Sequence, residues 1–171
     1  MNTESEVKSK LSELIGLRLS IARDAGSTKV FQFGNIRRSP SGRGTSGDFS
    51  LHLQCPWRLV KSGAILTGLG DYFWAEDEDE DVDLDNYKAG NLQRVRLQTL
   101  FQTYDPGTRS LVNLSDSMIV LSVNADPLGG FDIELSGDIR LQVFPDGSRA
   151  ENWRVFPKRS GEPHFVHPPQ I

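Results

Sequence analysis

One stretch of the chain combines an imidazole, an amide, a thiol and a guanidinium: LHLQCPWRL, residues 51–59. His52 and Cys55 are residue types that bind metal ions or act as nucleophiles. Their separation of three places them on opposite faces of a strand, because successive side chains alternate. Cys55 and Trp57 are two residues apart, so they have the same parity, that is, they lie on the same face of the strand. We therefore predict that Cys55 is a buried, unreactive thiol rather than half of a metal or catalytic site.

The other parity of this stretch is polar, and polar residues recur at similar positions in two later strand-like segments. If these strands are neighbours, their polar side chains share one face, and convergent polar groups build many ligand pockets. The alternative is the ordinary solvated face of an antiparallel sheet. Arg58 and Arg154 would serve as anchors for an anionic ligand. The candidate ligand-binding residues are His52, Gln54, Arg58, Arg140 and Arg154.

An acidic segment from Glu76 to Asp85 holds eight acidic residues and no basic one. Without it the chain has 15 acidic and 19 basic residues, so its net charge of −4 comes from this segment alone. A calcium loop of the EF-hand type would need glycine and glutamate where, counting from Asp77, Val82 and Lys88 stand. Dense like charges favour a solvated loop.

The functional alternative for this segment is an electrostatic docking arm for a basic protein, or a cover for the chain's own arginine-rich loop. The candidate partner-binding residues are Glu76, Asp77, Glu78, Asp79, Glu80 and Asp81.

A glycine-rich stretch, residues 42–47, matches the letters of the dinucleotide fingerprint. That fingerprint works by joining a strand to a helix whose N-terminus receives the pyrophosphate, whereas this stretch precedes a strand. Nearby arginines suggest a basic patch for nucleic acid, but the pI near 5.4 and the lack of a recognisable nucleic-acid module argue against it. The arginines of that patch are Arg37, Arg38, Arg43, Arg94 and Arg96.

The elements that position these residues are mostly strands. A capping box at Thr3 and Glu6 predicts a short N-terminal helix, and apolar spacing from Leu92 to Tyr104 predicts a second. Segments of alternating polarity predict two hairpins, one over 17–33 and one whose strands cover 51–59 and 64–69. They also predict a meander over 119–143 and two further strands at 153–155 and 165–166. Loops about 34–47 and 75–90 are expected to be flexible.

Composition is typical of a globular protein of one domain, covering 1–171. The single cysteine excludes an intramolecular disulfide, and no apolar run approaches the roughly 18 residues of a membrane span. We expect a cytoplasmic protein that does not enter membranes. No spacing of histidine and cysteine predicts a metal site, and no catalytic residue or cofactor is assigned.

The motifs LHLQCPWRL at 51–59 and ENWRVF at 151–156 resemble those of a family of small bacterial proteins of unknown function. The resemblance implies a stand-alone domain and no known activity. It supplies no catalytic residues to transfer onto this chain.

We therefore predict an α+β fold: a curved, mainly antiparallel meander sheet with two helices packed on one face. We predict that the protein is a non-enzymatic binding protein. One type that fits is an immunity or antitoxin protein, which neutralises a basic partner. The alternative is a small-molecule or enzymatic pocket on the polar face of the sheet.

Overall fold

The computed structural model describes residues 2–38, 44–77, 90–105, 107, 110–113, 118–158 and 161–169. Antiparallel strands dominate, and two α-helices accompany them, so the predicted α+β class is confirmed. The helices are α1 (Glu4–Leu11) and α2 (Leu92–Phe101), and short 3-10 helices cover Ser12–Leu14 and Leu69–Phe73.

The strands are β1 (Leu19–Ala25), β2 (Thr28–Phe33), β3 (Arg37–Arg38), β4 (Thr45–Ser46), β5 (Phe49–Leu53), β6 (Trp57–Lys61), β7 (Ala64–Gly68), β8 (Gln102–Asp105), β9 (Ser110–Asn113), β10 (Val120–Ala125), β11 (Phe131–Leu135), β12 (Ile139–Val143), β13 (Trp153–Pro157) and β14 (Phe165–His167).

Ten of the fourteen strands in the described residues form two five-stranded antiparallel sheets where the sequence predicts one, and the other four form the short pairs β3–β4 and β8–β9. Sheet I has the order β1-β2-β5-β13-β14, and sheet II the order β10-β11-β12-β6-β7. The sheets share one apolar core, in which Phe31 of sheet I meets Trp57 of sheet II edge to face at 5.1 Å. Trp153 and Phe131 make the same contact elsewhere in the core. Each sheet therefore has one core face and one outer face.

The predicted strand over 51–59 is in fact two strands, one in each sheet. Leu53 ends β5, Trp57 begins β6, and the chain crosses between the sheets through residues 54–56. Alternate residues stay buried across the crossing, because Cys55 at its centre faces the core. Pro56 has no amide hydrogen for a ladder, and its carbonyl accepts a hydrogen bond from the Phe144 amide at 2.9 Å. The hydrophobic period therefore continues although the strand does not.

Three predicted turns and strand pairs are confirmed. Gly26 in the β1–β2 turn has φ of 63°, and β1 and β2 pair from Leu19 to Phe33. The β6–β7 turn contains Gly63 with φ of 80°, a left-handed conformation that favours glycine. The β10–β11–β12 meander is present, and β14 is an edge strand beside β13.

The helices pack at different places around the core rather than together on one sheet face. In α1, Thr3 and Glu6 form the predicted capping box, and the helix contacts β10. Helix α2 contacts β7 of sheet II and β1 of sheet I, which are edge strands. It buries Gln93, Leu97 and Phe101 and ends there, so the predicted continuation to Tyr104 is wrong.

Most of the two predicted loops lies outside the described residues. In the first, β3 pairs with β4, which includes part of the glycine-rich stretch, while 39–43 are not described. In the second, residues 78–89 are not described. None of the helices in the described ranges has the length and apolar character needed to cross a membrane.

Candidate functional site

The structure places four of the five predicted ligand-binding residues on the outer faces of the two sheets, two on each, and the fifth, Gln54, at the crossing, where it lines a cavity. His52 and Arg154 are direct neighbours on sheet I, in β5 and β13. Gln54 lies beside them at the end of β5. Arg58 and Arg140 lie on sheet II, in β6 and β12. The predicted single polar face is therefore two separate faces, because the chain changes sheets at Pro56.

The group on sheet I surrounds the ring of Phe156. His164 stacks on that ring at 3.6 Å between centroids, His52 meets its edge at 5.1 Å, and the Lys158 ammonium lies 5.0 Å from its centroid. Arg154 lies 3.3 Å from the Nδ1 atom of His164.

A buried carboxylate holds the two polar neighbours of this group in place. Glu151 accepts two hydrogen bonds from the Arg154 guanidinium and a third from the Gln54 amide at 3.0 Å. These contacts satisfy the carboxylate in its partly buried setting, so Arg154 is already paired within the chain.

Burial and neighbouring cations lower the pKa values of both histidines in this group. Burial, followed by the charges of Lys158 and Arg154, lowers the pKa of His52 to about 4. The same causes lower the pKa of His164. His52 is therefore neutral at pH 7 and carries no charge for an anion.

On sheet II the polar residues form a ladder across three strands. Arg58 Nε donates to Gln142 Oε1 at 2.7 Å, and Gln142 Nε2 donates to Asp132 Oδ1 at 2.6 Å. Arg58 also lies over the Phe144 ring at 4.9 Å. A shallow depression of about 470 Å³ includes Arg58 and Arg140 in its walls. Arg58 Nε and both ends of the Gln142 amide are therefore used within the sheet.

Of the six predicted partner-binding residues, Glu76 and Asp77 are described and exposed. Residues 78–81 lie outside the described ranges. Two of the five arginines named for the basic patch have acidic partners: Arg37 forms an ion pair with Asp48 at 4.0 Å, and Arg96 with Asp71 at 3.0 Å, while Arg43 lies outside the described residues.

The residue that the sequence analysis missed is Lys29, whose side chain is only 6% exposed. It shares its parity in β2 with the core residues Phe31 and Phe33, and that parity was the available signal. Its ammonium forms an ion pair with Asp24, the residue directly opposite on β1. The same group lies 6.0 Å from the centroid of the Trp57 ring.

Lys29 lies between two cavities that share Asp24, Gly26 and Lys29 in their walls. One, of about 470 Å³, lies between the β1–β2 hairpin and α2. The other, of about 260 Å³, extends toward the crossing between β5 and β6. We call the two cavities together the Lys29 cleft. The walls of the smaller cavity are mainly apolar and include Leu53, Cys55, Trp57, Leu69, Tyr72 and Phe73.

Gln93 of α2 also lines the smaller cavity and is 1% exposed. Its Nε2 atom donates to the Gly68 carbonyl at 2.8 Å, which fixes the orientation of the amide. Its Oε1 atom is buried and accepts no hydrogen bond from any described residue. A buried acceptor without a donor costs on the order of 1 to 3 kcal/mol, so this atom marks a place for a donor.

Two side chains of the cleft, those of Lys29 and Cys55, have shifted pKa values. Burial lowers the pKa of Lys29, and the hydrogen bond and charge of Asp24 act in the opposite direction. Burial raises the pKa of Cys55 to about 12, so its thiol stays protonated and unreactive at neutral pH. Across the part of the chain that is described, no three side chains of His, Cys, Asp or Glu come together as metal ligands.

No match was found for this chain among protein-family models, curated proteins or solved structures.

Proposed function

We propose that this protein binds a small organic molecule in the Lys29 cleft. The observation that carries the proposal is a buried lysine in the wall shared by two cavities, one of which is also lined by Gln93, whose buried amide oxygen has no donor among the described residues. An apolar side chain at position 29 would fill the same space without the cost of burying a charge. Perturbed ionisable groups in a cavity are typical of functional sites.

The walls define the ligand chemistry. Trp57, Tyr72 and Phe73 offer flat apolar surface, which suits an aromatic or other ring of modest size. The Lys29 ammonium donates hydrogen bonds, so the ligand needs an acceptor at one end. Gln93 Oε1 accepts one, so the ligand needs an O–H or N–H group at another point.

A neutral probe with this pattern is para-benzenedimethanol, which carries a ring and two hydroxyl groups. We expect it to bind weakly and to raise the melting temperature, since a ligand that binds only the native state stabilises it. Lys29→Met should weaken binding roughly tenfold, which corresponds to about 1.4 kcal/mol. Ligand-detected NMR titration measures both affinities.

The matched control is Lys61→Met, because Lys61 is exposed at the end of β6 and absent from the walls of the cleft. Gln93→Leu fills a similar volume without the acceptor and should also weaken binding. Equal affinity of Lys29→Met, Gln93→Leu and the unaltered chain would refute the proposal.

A second candidate is the predicted capture of a basic protein partner, of the immunity or antitoxin type. It is favoured by Phe73 and Trp74, which are 62% and 68% exposed and immediately precede the acidic segment. Exposed aromatic side chains beside charge are typical of protein interfaces. Deleting Glu76 to Asp85 should weaken partner capture and reduce its salt dependence.

A pull-down at low and high salt tests this second candidate. Trp74→Ser should reduce capture, whereas Ile65→Ser, at a residue that is 59% exposed on β7, serves as the control. Recovery of the same partners with and without the acidic segment would eliminate the idea.

A further inference from the structure

We infer that Lys29 forms an imine with an aldehyde or ketone ligand of the cleft, so that part of the binding is covalent and reversible. This inference rests on the proposed function and narrows its ligand class to carbonyl compounds. It assigns the chemistry to Lys29 Nζ, with Asp24 as the group that moves protons.

The first support is the placement of the amine. Among the lysines that the structure describes, Lys29 alone is buried, and it lines both cavities of the cleft. Lys61 and Lys158 are exposed. A carbonyl compound in the cleft would therefore meet one primary amine, held in a restricted position by the pairing of β1 and β2.

The second support is the carboxylate beside the amine. Asp24 contacts the Lys29 ammonium directly, so it can take a proton from Nζ and return one later. The ion pair also suits the product, because a protonated imine carries the same single positive charge as the ammonium. Formation of the imine therefore leaves the charge balance of the buried pair unchanged.

The reaction balances without an oxidant or reductant. Asp24 accepts a proton from the Lys29 ammonium, and the free Nζ lone pair attacks the carbonyl carbon to form a C–N bond. One proton moves from the nitrogen to the carbonyl oxygen to give a hydroxyl group, and Asp24 returns its proton to that oxygen. The C–O bond then breaks, water leaves, and a protonated C=N bond remains. The overall change is ammonium plus carbonyl giving protonated imine plus water.

Burial adds to the geometric support because it lowers the pKa of Lys29. Imine formation needs the free amine, and a desolvated lysine supplies more of it near neutral pH than an exposed lysine does.

The test uses para-(hydroxymethyl)benzaldehyde, the aldehyde counterpart of para-benzenedimethanol, with the full chain. Sodium cyanoborohydride reduces an imine to a stable secondary amine, so the modified lysine can be found by peptide mass spectrometry. We expect modification of Lys29 at least tenfold faster than that of Lys158 or Lys61. Excess para-benzenedimethanol should slow modification at Lys29 and leave the exposed lysines unaffected.

Two variants separate the chemistry from simple binding. At a saturating concentration of the aldehyde, Asp24→Asn should slow trapping at Lys29 at least tenfold while the trapping rate at Lys158 stays unchanged. Lys29→Arg should remove trapping in the cleft while the trapping rate at Lys158 stays unchanged, and circular dichroism checks that it folds.

Modification that follows only the exposure of each lysine, in a chain that still binds the dialcohol, would overturn the imine and leave the proposed function standing. Failure of the dialcohol to bind would instead overturn the proposed function. In that case selective trapping at Lys29 would still support a reactive amine.

Discussion

At the scale of single residues, His52 has a direct consequence for acid stability. Its pKa is about 4 in the folded chain and about 6.5 when it is exposed to water. Below pH 6.5 the unfolded chain therefore takes up a proton that the folded chain resists, and stability falls as the pH falls toward 4. The full shift would correspond to about 3 kcal/mol, but screening of the half-buried ring reduces the expected loss to about 1 kcal/mol.

The measurement is urea unfolding of the unaltered chain and of His52→Gln at pH 7 and pH 4.5. The variant should lose less stability than the unaltered chain between these two pH values. The burial-lowered pKa of His164 acts in the same direction in both proteins, so the difference isolates His52. An identical pH dependence would show that His52 does not resist protonation.

Parity predicted burial well at this scale. Leu51, Leu53, Cys55, Trp57 and Leu59 are all buried, as alternation requires. Applied to β2, the same rule would place Lys29 in the core beside Phe31 and Phe33, whereas lysine in general prefers solvent. The ion pair with Asp24 and the nearby Trp57 ring explain why a lysine is tolerated there.

At the scale of elements, the close packing of Gly129 against β14 can be tested by substitution. Gly129 lies in the turn between β10 and β11. Its φ is 85°, and an added Cβ would lie 2.1 Å from the ring of His167. That ring is buried, donates through Nε2 to the Leu128 carbonyl and stacks on Trp153. It cannot move away without losing both contacts.

We expect Gly129→Ala to reduce the free energy of unfolding by roughly 3 kcal/mol or more, since strain and a buried clash add together. The matched control is Gly16→Ala, because Gly16 has φ of 84° and open space around its Cβ position. That variant should lose only about 1 kcal/mol, the left-handed backbone cost. Urea unfolding measures both, and equal losses would contradict the packing explanation.

The sequence predicted most strand positions because their alternation is local. It did not predict the two sheets, since β5 and β6 follow each other with unbroken apolar parity across the crossing. Which strands become neighbours depends on pairs such as β12 with β6, which lie about 80 residues apart. The predicted polar-face site is divided for the same reason. Its residues alternate along the chain as predicted, but they belong to strands of two different sheets.

At the scale of the whole molecule, one apolar core joins both sheets and both helices. We predict that they unfold together in one transition, as small domains with a shared core do. Tryptophan fluorescence reports mainly on Trp57 and Trp153, because Trp74 is already 68% exposed in the folded chain, and far-ultraviolet circular dichroism reports on the strands. The two midpoints in urea should coincide, and separate midpoints would show that the sheets are independent.

The walls of the Lys29 cleft come from sheet I, sheet II, the crossing between them and α2. A molecule seated there would touch parts of the chain that meet only after the two sheets have docked. Its binding energy would therefore stabilise the docked arrangement of the two sheets. Hydrogen exchange should then slow at amides in both sheets instead of only near the cavity.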